Sequence, residues 1–236
     1  MLDRISTRIF ADGADLEGML ALASDPRIQG FTTSPTLMRQ VGLTDYAGFA
    51  RRLLERISKY PICFEVFADD PGEMRRQARL IASWAENVYV KIPVTTTAGE
   101  SLAPLVRELS QEGVKVNVTA LFTIAQVELI TEAVRDGAPS CISVFAGRIA
   151  DAGVDPVPIM ASAVQIMAAA PRSELIWASP REILNLVQAD RVGCHIITIT
   201  HDLLKKLDCL GKKLELYSLE TVRMFHGEAA TVGFAL

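Results

Sequence analysis

The sequence predicts a parallel (β/α)8 barrel, and three observations lead to that prediction. The chain has 236 residues and is 50% hydrophobic, enough for one large domain with a sizeable buried core. Short segments rich in β-forming residues alternate with stretches of helical hydrophobic spacing. Eight such strand–helix units in this length fit a closed barrel, with a doubly wound open sheet as the alternative. We therefore expect residues 1–236 to form a single barrel domain.

The predicted strands follow one another along the whole chain. In order, they are TRIFADG, QGFTTS, PICFEVFA, NVYVKIP, VKVNVTA, SCISVFAG, ELIWAS and GCHIITIT. Helical segments lie between most of them, such as DDPGEMRRQARLIASWAE, opened by an Asp-Pro pair, and TIAQVELITEAVRDG, which ends at Gly137. A final segment at about 215–230 predicts an additional C-terminal helix, with an apolar stripe through Leu219, Val222 and Phe225.

Composition and charge argue against several classes of protein. The net charge of −4 gives no support to binding of nucleic acid or of a membrane surface. No apolar run approaches the ~20 residues of a membrane helix, and the start MLDRISTRIF has no apolar signal segment, so we expect a cytoplasmic protein. The four cysteines are expected to be reduced and buried, and the three histidines lack the spacing of a zinc site. We expect no metal and no other cofactor.

Alternation along three consecutive strands places polar residues on the inward face. Side chains of a strand point alternately to its two faces, so the aliphatic residues of strands three, four and five should pack under the helices. The opposite face carries, near the carboxyl ends of these strands, Glu65, Lys91, Asn117 and Thr119. Barrel enzymes assemble their active sites at that end. The convergence predicts an active site around Lys91.

A buried lysine beside a carboxylate suits imine chemistry. An amine attacks a carbonyl only when it is unprotonated, and burial among apolar walls favours the unprotonated form. The resulting Schiff base accepts electrons and permits cleavage of a carbon–carbon bond. Glu65, together with Thr119, could move the protons that such a reaction requires. The alternative is a structural ion pair between Glu65 and Lys91 without a catalytic role.

Five segments together resemble the transaldolase family, including its small members and the related fructose-6-phosphate aldolases. They are GFTTSPTLM, VYVKIPVT, VNVTALFTIAQ, SVFAGRIAD and WASPRE. The resemblance runs over nearly the whole chain. It implies a class I Schiff-base enzyme on a (β/α)8 barrel that acts on ketose phosphates in carbohydrate metabolism, as in the pentose phosphate pathway, without a metal.

The resemblance also implies roles for individual residues. Lys91 matches the imine lysine, and Asp12 matches the acid–base aspartate at the donor hydroxyl, although the family usually has Asp-Thr where this chain has Asp-Gly. Glu65 matches the glutamate typical of transaldolases, where the aldolase branch tends to carry glutamine. Asn117 and Thr119 follow the transaldolase form NxT. The resemblance therefore favours transfer over simple aldol cleavage.

Two arginines are expected to bind a phosphate group. Ser179 fits an N-cap and is followed by proline at the first helical position, so a helix after strand seven would offer an anion site. Arg181 would add a bidentate donor there. By resemblance, Arg148 is the family's phosphate arginine, and Ser143 and Phe145 line the same pocket.

Two departures from the family pattern affect contacts with the substrate. The family writes TTNPS where this chain has TTSPT, so Thr33 is kept and Ser34 replaces the asparagine that holds the bound sugar. After strand seven, Pro180 replaces the usual aromatic residue. Both changes leave the physiological sugars open.

The leading hypothesis is a transaldolase that moves a dihydroxyacetone unit from a ketose phosphate to an aldose phosphate. One alternative is an aldolase that uses the same chemistry but releases dihydroxyacetone. Two further alternatives are a catalytically silent barrel that binds sugar phosphates and a metal-dependent aldolase. Small members of the family often form pentamers or decamers. We therefore expect a homo-oligomer built through the C-terminal helix, although the apolar stripe of that helix would also suit packing within one chain.

Overall fold

The computed structural model describes residues 2–233, whose strands form one closed barrel. The strands are β1 (Arg8–Asp12), β2 (Ile28–Thr32), β3 (Ile62–Glu65), β4 (Val88–Pro93), β5 (Val116–Leu121), β6 (Ser140–Val144), β7 (Ser173–Trp177) and β8 (Ile196–Thr200). Each strand pairs in parallel with the next, and β8 pairs with β1. Closure confirms the predicted (β/α)8 barrel and rules out an open sheet.

Helices alternate with the strands and surround them. They are α1 (Leu16–Leu22), α2 (Pro35–Gln40), α3 (Tyr46–Arg56), α4 (Pro71–Ala82), α5 (Ala103–Gln111), α6 (Ile124–Val134), α7 (Ala146–Asp151), α8 (Pro156–Met167), α9 (Leu184–Arg191), α10 (His201–Leu204) and α11 (Leu214–Val232). The predicted start of α4 is confirmed, since Asp70 accepts a hydrogen bond from the amide of Glu73 and Pro71 is the first helical residue.

The main hydrophobic core lies between the strands and the helices. The outward faces of β3 to β5, with the residues that lead into or follow these strands, are buried there, as the alternation predicts: Ile62, Phe64, Val66, Val88, Val90, Ile92, Val114, Val116 and Val118. Met74 of α4, Val106 of α5 and Ile130 of α6 cover them from outside. Burying each such side chain is worth about 1.5–3 kcal/mol, so this layer supplies most of the barrel's stability.

A second apolar cluster fills the lower part of the barrel interior. We call it the plug, and it consists of Phe10, Tyr89, Cys141, Ile176 and Ile196. The ring of Phe10 lies so close to β2 that a Cβ atom at Gly30 would be 2.5 Å from it. Arg8 and Glu174 form an ion pair at this end of the barrel, with the Arg8 guanidinium 5.8 Å from the centre of the Phe10 ring. The lower end is therefore closed.

The predicted C-terminal helix is present as α11 and begins and ends close to the expected 215–230. It contains no buried residue, and its apolar side chains face outward, with Val222 59% and Phe225 61% exposed. In the part of the chain that the structure describes, no helix is long and apolar enough to cross a membrane.

Candidate active site

A cavity of about 250 Å³ opens at the carboxyl ends of the barrel strands. The predicted site residues that line it are Asp12, Ser34, Lys91, Asn117, Thr119, Ser143, Phe145, Arg148, Ser179 and Arg181. They come from strands or strand ends all around the barrel, which is why a linear sequence separates them. Glu65 and Thr33 were also predicted, and they contact Lys91 from beside the cavity rather than lining it.

Lys91 is buried and held by two oxygen atoms. Its Nζ donates a hydrogen bond of 2.8 Å to the main-chain oxygen of Thr33 and lies 3.3 Å from Oε2 of Glu65. The residue is only 8% exposed, yet it lines the cavity, so a ligand there can reach the amine. The carboxylate at 3.3 Å is close enough to take the ammonium proton when the amine attacks a carbonyl.

Glu65 is fixed at its main chain by a tyrosine of α3. The hydroxyl of Tyr46 accepts a hydrogen bond from the Glu65 amide at 2.7 Å and donates to the Glu65 carbonyl at 3.2 Å. Tyr46 also packs edge-on against Phe64 and Trp84. These contacts hold the end of β3 in place and leave the Glu65 carboxylate free to pair with Lys91.

Asp12 supplies a second carboxylate at the same end of the barrel. Its Oδ1 accepts a hydrogen bond of 2.9 Å from the hydroxyl of Thr32, to which it is paired across β1 and β2. Burial raises the pKa of Asp12 above its ordinary value, although the positive charge of Lys91 and the Thr32 hydrogen bond act in the opposite direction. A carboxyl with a raised pKa next to a lysine is suited to proton transfer.

The hydroxyl of Thr119 is a buried polar atom with no hydrogen-bond partner among the described residues. Such a group is expensive to bury, at about 1–3 kcal/mol, and it faces the cavity. The next residue, Ala120, has a left-handed φ of 63°, and the pairing of β5 with β6 shifts register there. Strain of this kind is typical of functional sites, where it aims a side chain.

A hydrogen-bond chain lies beside Lys91 and orients Asn117. Ser143 Oγ donates to Asn117 Oδ1 at 2.8 Å, and Asn117 Nδ2 donates to Cys63 Sγ at 3.3 Å. All three side chains are buried, and burial raises the pKa of the Cys63 thiol to about 11. The thiol therefore stays neutral and acts as a weak acceptor, while the amide of Asn117 keeps one orientation.

Thr33 and Ser34 have local structural roles as well as a place near the site. The hydroxyl of Thr33 donates to the Cys63 carbonyl at 2.9 Å, so its side chain is directed away from the cavity and only its carbonyl serves Lys91. Ser34 is the N-cap of α2, and its Oγ accepts from the Leu37 amide at 3.3 Å. Ser34 lines the cavity, so it combines capping with exposure to a ligand.

Arg148 follows β6 and provides a cation at the rim of the cavity. Its guanidinium lies 5.4 Å from the centre of the Phe145 ring, which it covers, and Phe145 in turn packs against Phe122 at 5.8 Å. Within residues 2–233, no carboxylate pairs with it within 4.0 Å. Its charge is therefore available to an anion.

The predicted helix start after β7 is wrong. α9 begins at Leu184 rather than at Pro180, and Ile183 is its N-cap in place of Ser179. The reason lies in the main chain, because Ser179 has a left-handed φ of 60° that a helical N-cap does not adopt. The chain passes so close to α7 here that a Cβ atom at Gly147 would be 1.5 Å from the Ser179 carbonyl oxygen.

The anion site expected at that helix start is occupied by a side chain of the protein. Oδ1 of Asn185 accepts hydrogen bonds from the amides of Arg181 and Glu182, at 2.8 and 3.2 Å. The guanidinium of Arg181 makes two hydrogen bonds to Asp151, at 3.0 and 2.5 Å. Arg181 thus lines the cavity with its charge already paired, in contrast to Arg148.

The cavity also contains hydroxyl groups that sequence reasoning missed. Thr32, Thr36, Thr198 and Thr200 line it, together with Leu37, Ala178 and Pro180. Threonine is common in strands for its β-branched shape, so a threonine in an apolar run gives no signal of a binding role. Only one signal could have suggested a binding role for Thr198 and Thr200. Both lie near the end of β8, on the inward face, and β8 pairs with β1, which carries the predicted Asp12. Among the described residues, no three histidine, cysteine or acidic side chains are grouped to hold a metal ion.

Known proteins resemble this chain over most of its length. The family described as Transaldolase/Fructose-6-phosphate aldolase matches residues 9–234. The chain belongs to this family. A relative from Dehalococcoides mccartyi named "Probable transaldolase" is 35% identical over 201 residues, which cover 85% of this chain and 89% of the relative.

Further relatives carry the same name. The protein from Streptococcus equi subsp. zooepidemicus is 34% identical and that from Methanococcus maripaludis 33%, each over 85% of this chain and 89% of its own length. A solved structure from Burkholderia cenocepacia J2315 covers 98% of this chain and 86% of its own, with a TM-score of 0.60 at 14% identity. That similarity shows the fold alone.

Proposed function

We propose that the protein is a transaldolase, which moves a dihydroxyacetone unit from a ketose phosphate to an aldose phosphate through a Schiff base on Lys91. One observation carries the proposal: a buried lysine reaches a cavity with one carboxylate 3.3 Å from its Nζ and the carboxyl of Asp12 nearby. Membership of the transaldolase/fructose-6-phosphate aldolase family supports it. A buried ion pair alone would not require a cavity lined by hydroxyl groups.

The first half-reaction begins with attack of the Lys91 amine on the carbonyl carbon of the ketose. Glu65 takes the proton that the amine releases and returns one to the hydroxyl that leaves as water, which gives the iminium. Asp12 then removes the proton of the hydroxyl next to the bond to be broken. The carbon–carbon bond breaks, its electron pair forms the double bond of an enamine and neutralises the iminium nitrogen, and an aldose phosphate departs.

The second half-reaction reverses these steps with a new aldehyde. The enamine carbon attacks the aldehyde of the acceptor, and Asp12 returns its proton to the oxygen that becomes a hydroxyl. Water then adds to the iminium, and Lys91 is released with the product ketose. Thr119, whose hydroxyl has no partner of its own, supports the positioning of that water together with Glu65.

The phosphate of the substrate is proposed to bind at Arg148. This guanidinium lines the cavity without a carboxylate partner among the described residues, whereas Arg181 is paired with Asp151. Ser143 and Phe145 support the same part of the cavity, and Asn117 and Ser34 offer polar groups to the sugar hydroxyls. Ser179 and Arg181 remain in the proposed pocket, although not through a helix N-terminus.

A coupled assay tests transfer against release. The donor fructose 6-phosphate is supplied with and without an aldose phosphate acceptor, and both free dihydroxyacetone and the new ketose phosphate are measured. Transfer predicts product only when the acceptor is present. Free dihydroxyacetone formed at the same rate without the acceptor would identify an aldolase, and binding of the sugar phosphate without any turnover would identify a silent barrel.

Assembly into a pentamer or decamer through α11 is part of the same proposal. All residues of this 19-residue helix are at least partly exposed, so its apolar side chains are not covered by its own barrel. Light scattering at working concentration should give a mass several times 25.7 kDa, and a monomer would refute the assembly. The proposal also includes a single domain over residues 1–236 and a cytoplasmic location. It assigns the protein no nucleic-acid or membrane partner.

A further inference from the structure

His201 stands next to the proposed site without being part of it. It follows β8 directly, one residue after Thr200, whose Cα is the partner of Asp12 in the pairing of β1 with β8. The imidazole therefore lies at the carboxyl end of β1, on the side from which Lys91 and Glu65 do not approach. No step of the proposed reaction has used it.

The segment from β1 to α1 leaves room for the imidazole ring. A Cβ atom at Gly13 would be 2.9 Å from Nε2 of His201, and one at Gly18 would be 2.8 Å from its Cε1. Neither glycine has a positive φ, so neither is required by the conformation of the main chain. Two glycines five positions apart therefore serve to admit this ring beside Asp12.

One nitrogen of the ring is buried without a partner. Nε2 has no hydrogen bond among the described residues and no contact with solvent, although His201 as a residue is partly exposed. Burying a nitrogen without a partner is unfavourable, and an apolar side chain such as phenylalanine or leucine would fill a similar space without that penalty. The polar nitrogen therefore points to a function beyond packing.

Three carboxyl groups lie near His201, and two of them have partners elsewhere. Asp15 caps α1 through the amide of Gly18 at 2.8 Å, and Asp202 pairs with Lys205 at 2.8 Å. Asp12 is the third, and its Oδ1 is shared only with the hydroxyl of Thr32.

Asp12 in turn is surrounded by three charged groups. They are Lys91, Glu65 and His201. Burial raises the pKa of Asp12, and the charge of His201 acts against that rise in the same direction as Lys91, while Glu65 adds to it. A cation beside Asp12 favours the ionised carboxylate, which is the form that must accept the hydroxyl proton.

We propose that His201 is a positioning residue that acts through Asp12: its imidazole, admitted beside Asp12 by Gly13 and Gly18, favours the ionised Asp12 carboxylate and fixes it before carbon–carbon cleavage. The inference rests on the proposed role of Asp12 as the base. It adds to the proposed mechanism a residue that touches no substrate. It also explains why this chain has glycine after Asp12, because a larger residue there would displace the imidazole ring.

The pH dependence of kcat/KM tests this inference, because its acid limb reports the base of the free enzyme. In His201→Gln the limb should move to higher pH, since loss of the imidazole removes an interaction that lowers the pKa of Asp12. Gly13→Ala should move it in the same direction, because the new methyl group displaces Nε2 while the imidazole is retained. His226→Gln removes an exposed histidine of α11 and should leave the limb where it is.

The outcomes separate this inference from the proposed function. If the unmodified protein turns over the donor and the acid limbs of His201→Gln and Gly13→Ala coincide with that of the unmodified protein, His201 does not act through Asp12 and the inference is wrong. If His201→Gln does not fold, Gly13→Ala alone decides by the same criterion. Absence of turnover in the unmodified protein under all acceptor conditions would instead refute the proposed function and, with it, this inference.

Discussion

The two ends of the barrel interior are made by the same strands from opposite kinds of side chain. At the lower end, the plug residues Phe10 and Tyr89 pack among apolar neighbours. Two positions further along the same strands stand Asp12 and Lys91, which line the cavity. Because side chains alternate, both members of each pair point inward. Within two residues along each strand, the interior of the barrel therefore changes from a packed apolar layer to a layer of reactive polar side chains.

The upper end carries features that lower the stability of a fold. The Thr119 hydroxyl is buried without a partner, Asp12 has its pKa raised by burial, and Ala120 and Ser179 have left-handed φ angles. Among the described residues, these two are the non-glycine residues with positive φ. Ala120 lies in β5 next to Thr119, Ser179 follows β7, and both Thr119 and Ser179 line the cavity. The comparison indicates that the plug and the outer layer stabilise the barrel, while the upper end is arranged for reactivity.

Glu65→Gln should give the largest effect and should fall on activity. The amide keeps the shape of the side chain but cannot accept a proton, so kcat should fall by about 10²–10⁴-fold. The Lys91 imine should still form, although more slowly than in the native protein, as measured by reductive trapping. Glu128→Gln, on the exposed face of α6, is the matched control and should retain normal kcat. Normal turnover in Glu65→Gln would remove this residue from the mechanism.

Phe10→Ala, at the lower end of the barrel, should lower stability and leave activity nearly unchanged. The side chain is 1% exposed, and truncation of such a ring costs about 3–5 kcal/mol of unfolding free energy. At a temperature where the variant is folded, kcat/KM should stay within a few-fold of normal. Urea unfolding measures the first effect, with Phe67→Ala, whose ring is 53% exposed, as control. A stable but inactive Phe10→Ala would contradict the division between the two ends.

Asp12→Asn should increase stability at neutral pH while it impairs turnover. The asparagine oxygen can still accept the Thr32 hydrogen bond, but the variant has no carboxylate to bury. Because the folded pKa of Asp12 is raised, the stability that Asp12 contributes is fully present below its unfolded pKa of about 3.9 and is lost as pH rises through its folded pKa.

Thermal unfolding from pH 3 to pH 8 measures that difference. The melting temperature of Asp12→Asn should match that of the native protein at the acid end and exceed it at the neutral end. A variant that matches the native protein at the acid end but melts lower at the neutral end would show that attraction between Asp12 and Lys91 outweighs the cost of burial, and would contradict the prediction.

Ser34→Asn should give the smallest effect, a gain in activity on fructose 6-phosphate. Asparagine restores the amide that the family carries here, which is worth on the order of 1 kcal/mol, or about tenfold in rate. Asparagine is also as good an N-cap as serine, so α2 should be retained. Ser34→Ala is the control that loses the cap without the gain. A slower Ser34→Asn variant would show that Ser34 does not set donor preference.

The sequence predicted the barrel and most of the residues that the structure brings to the cavity, because β3 to β5 alternate strictly. In these strands the polar Glu65, Lys91 and Asn117 stand out against valine, isoleucine and phenylalanine, so their inward direction could be derived. The motifs that resemble the family placed the remaining residues. The hydroxyl groups of Thr198 and Thr200 were missed, because threonine in an apolar strand has a structural explanation of its own.

The error after β7 has a different origin. Ser-Pro followed by a helical stretch is a common helix start, and the sequence carries no sign that Ser179 adopts a left-handed φ. Nor does it show that Asn185 occupies the amides of the following turn or that Asp151 pairs with Arg181. The Asp151–Arg181 pair joins segments 30 residues apart, and the Asn185 contacts belong to a non-helical turn, so both depend on how α7 and α9 pack. The place of His201 was missed because it also depends on a contact between distant segments, here with Gly13 and Gly18.

Reduction of the enzyme–substrate mixture tests the central claim most directly. The protein is incubated with fructose 6-phosphate and borohydride, digested, and analysed by mass spectrometry. Lys115 is the internal control, a partly exposed lysine whose Nζ donates to the Glu86 carbonyl and lies 5.9 Å from the centre of the Tyr89 ring. The account predicts that the mass of a reduced dihydroxyacetone or ketose phosphate adduct appears on the peptide that contains Lys91 and not on that of Lys115. Labelling at another lysine, or no labelling while the substrate is turned over, would contradict it.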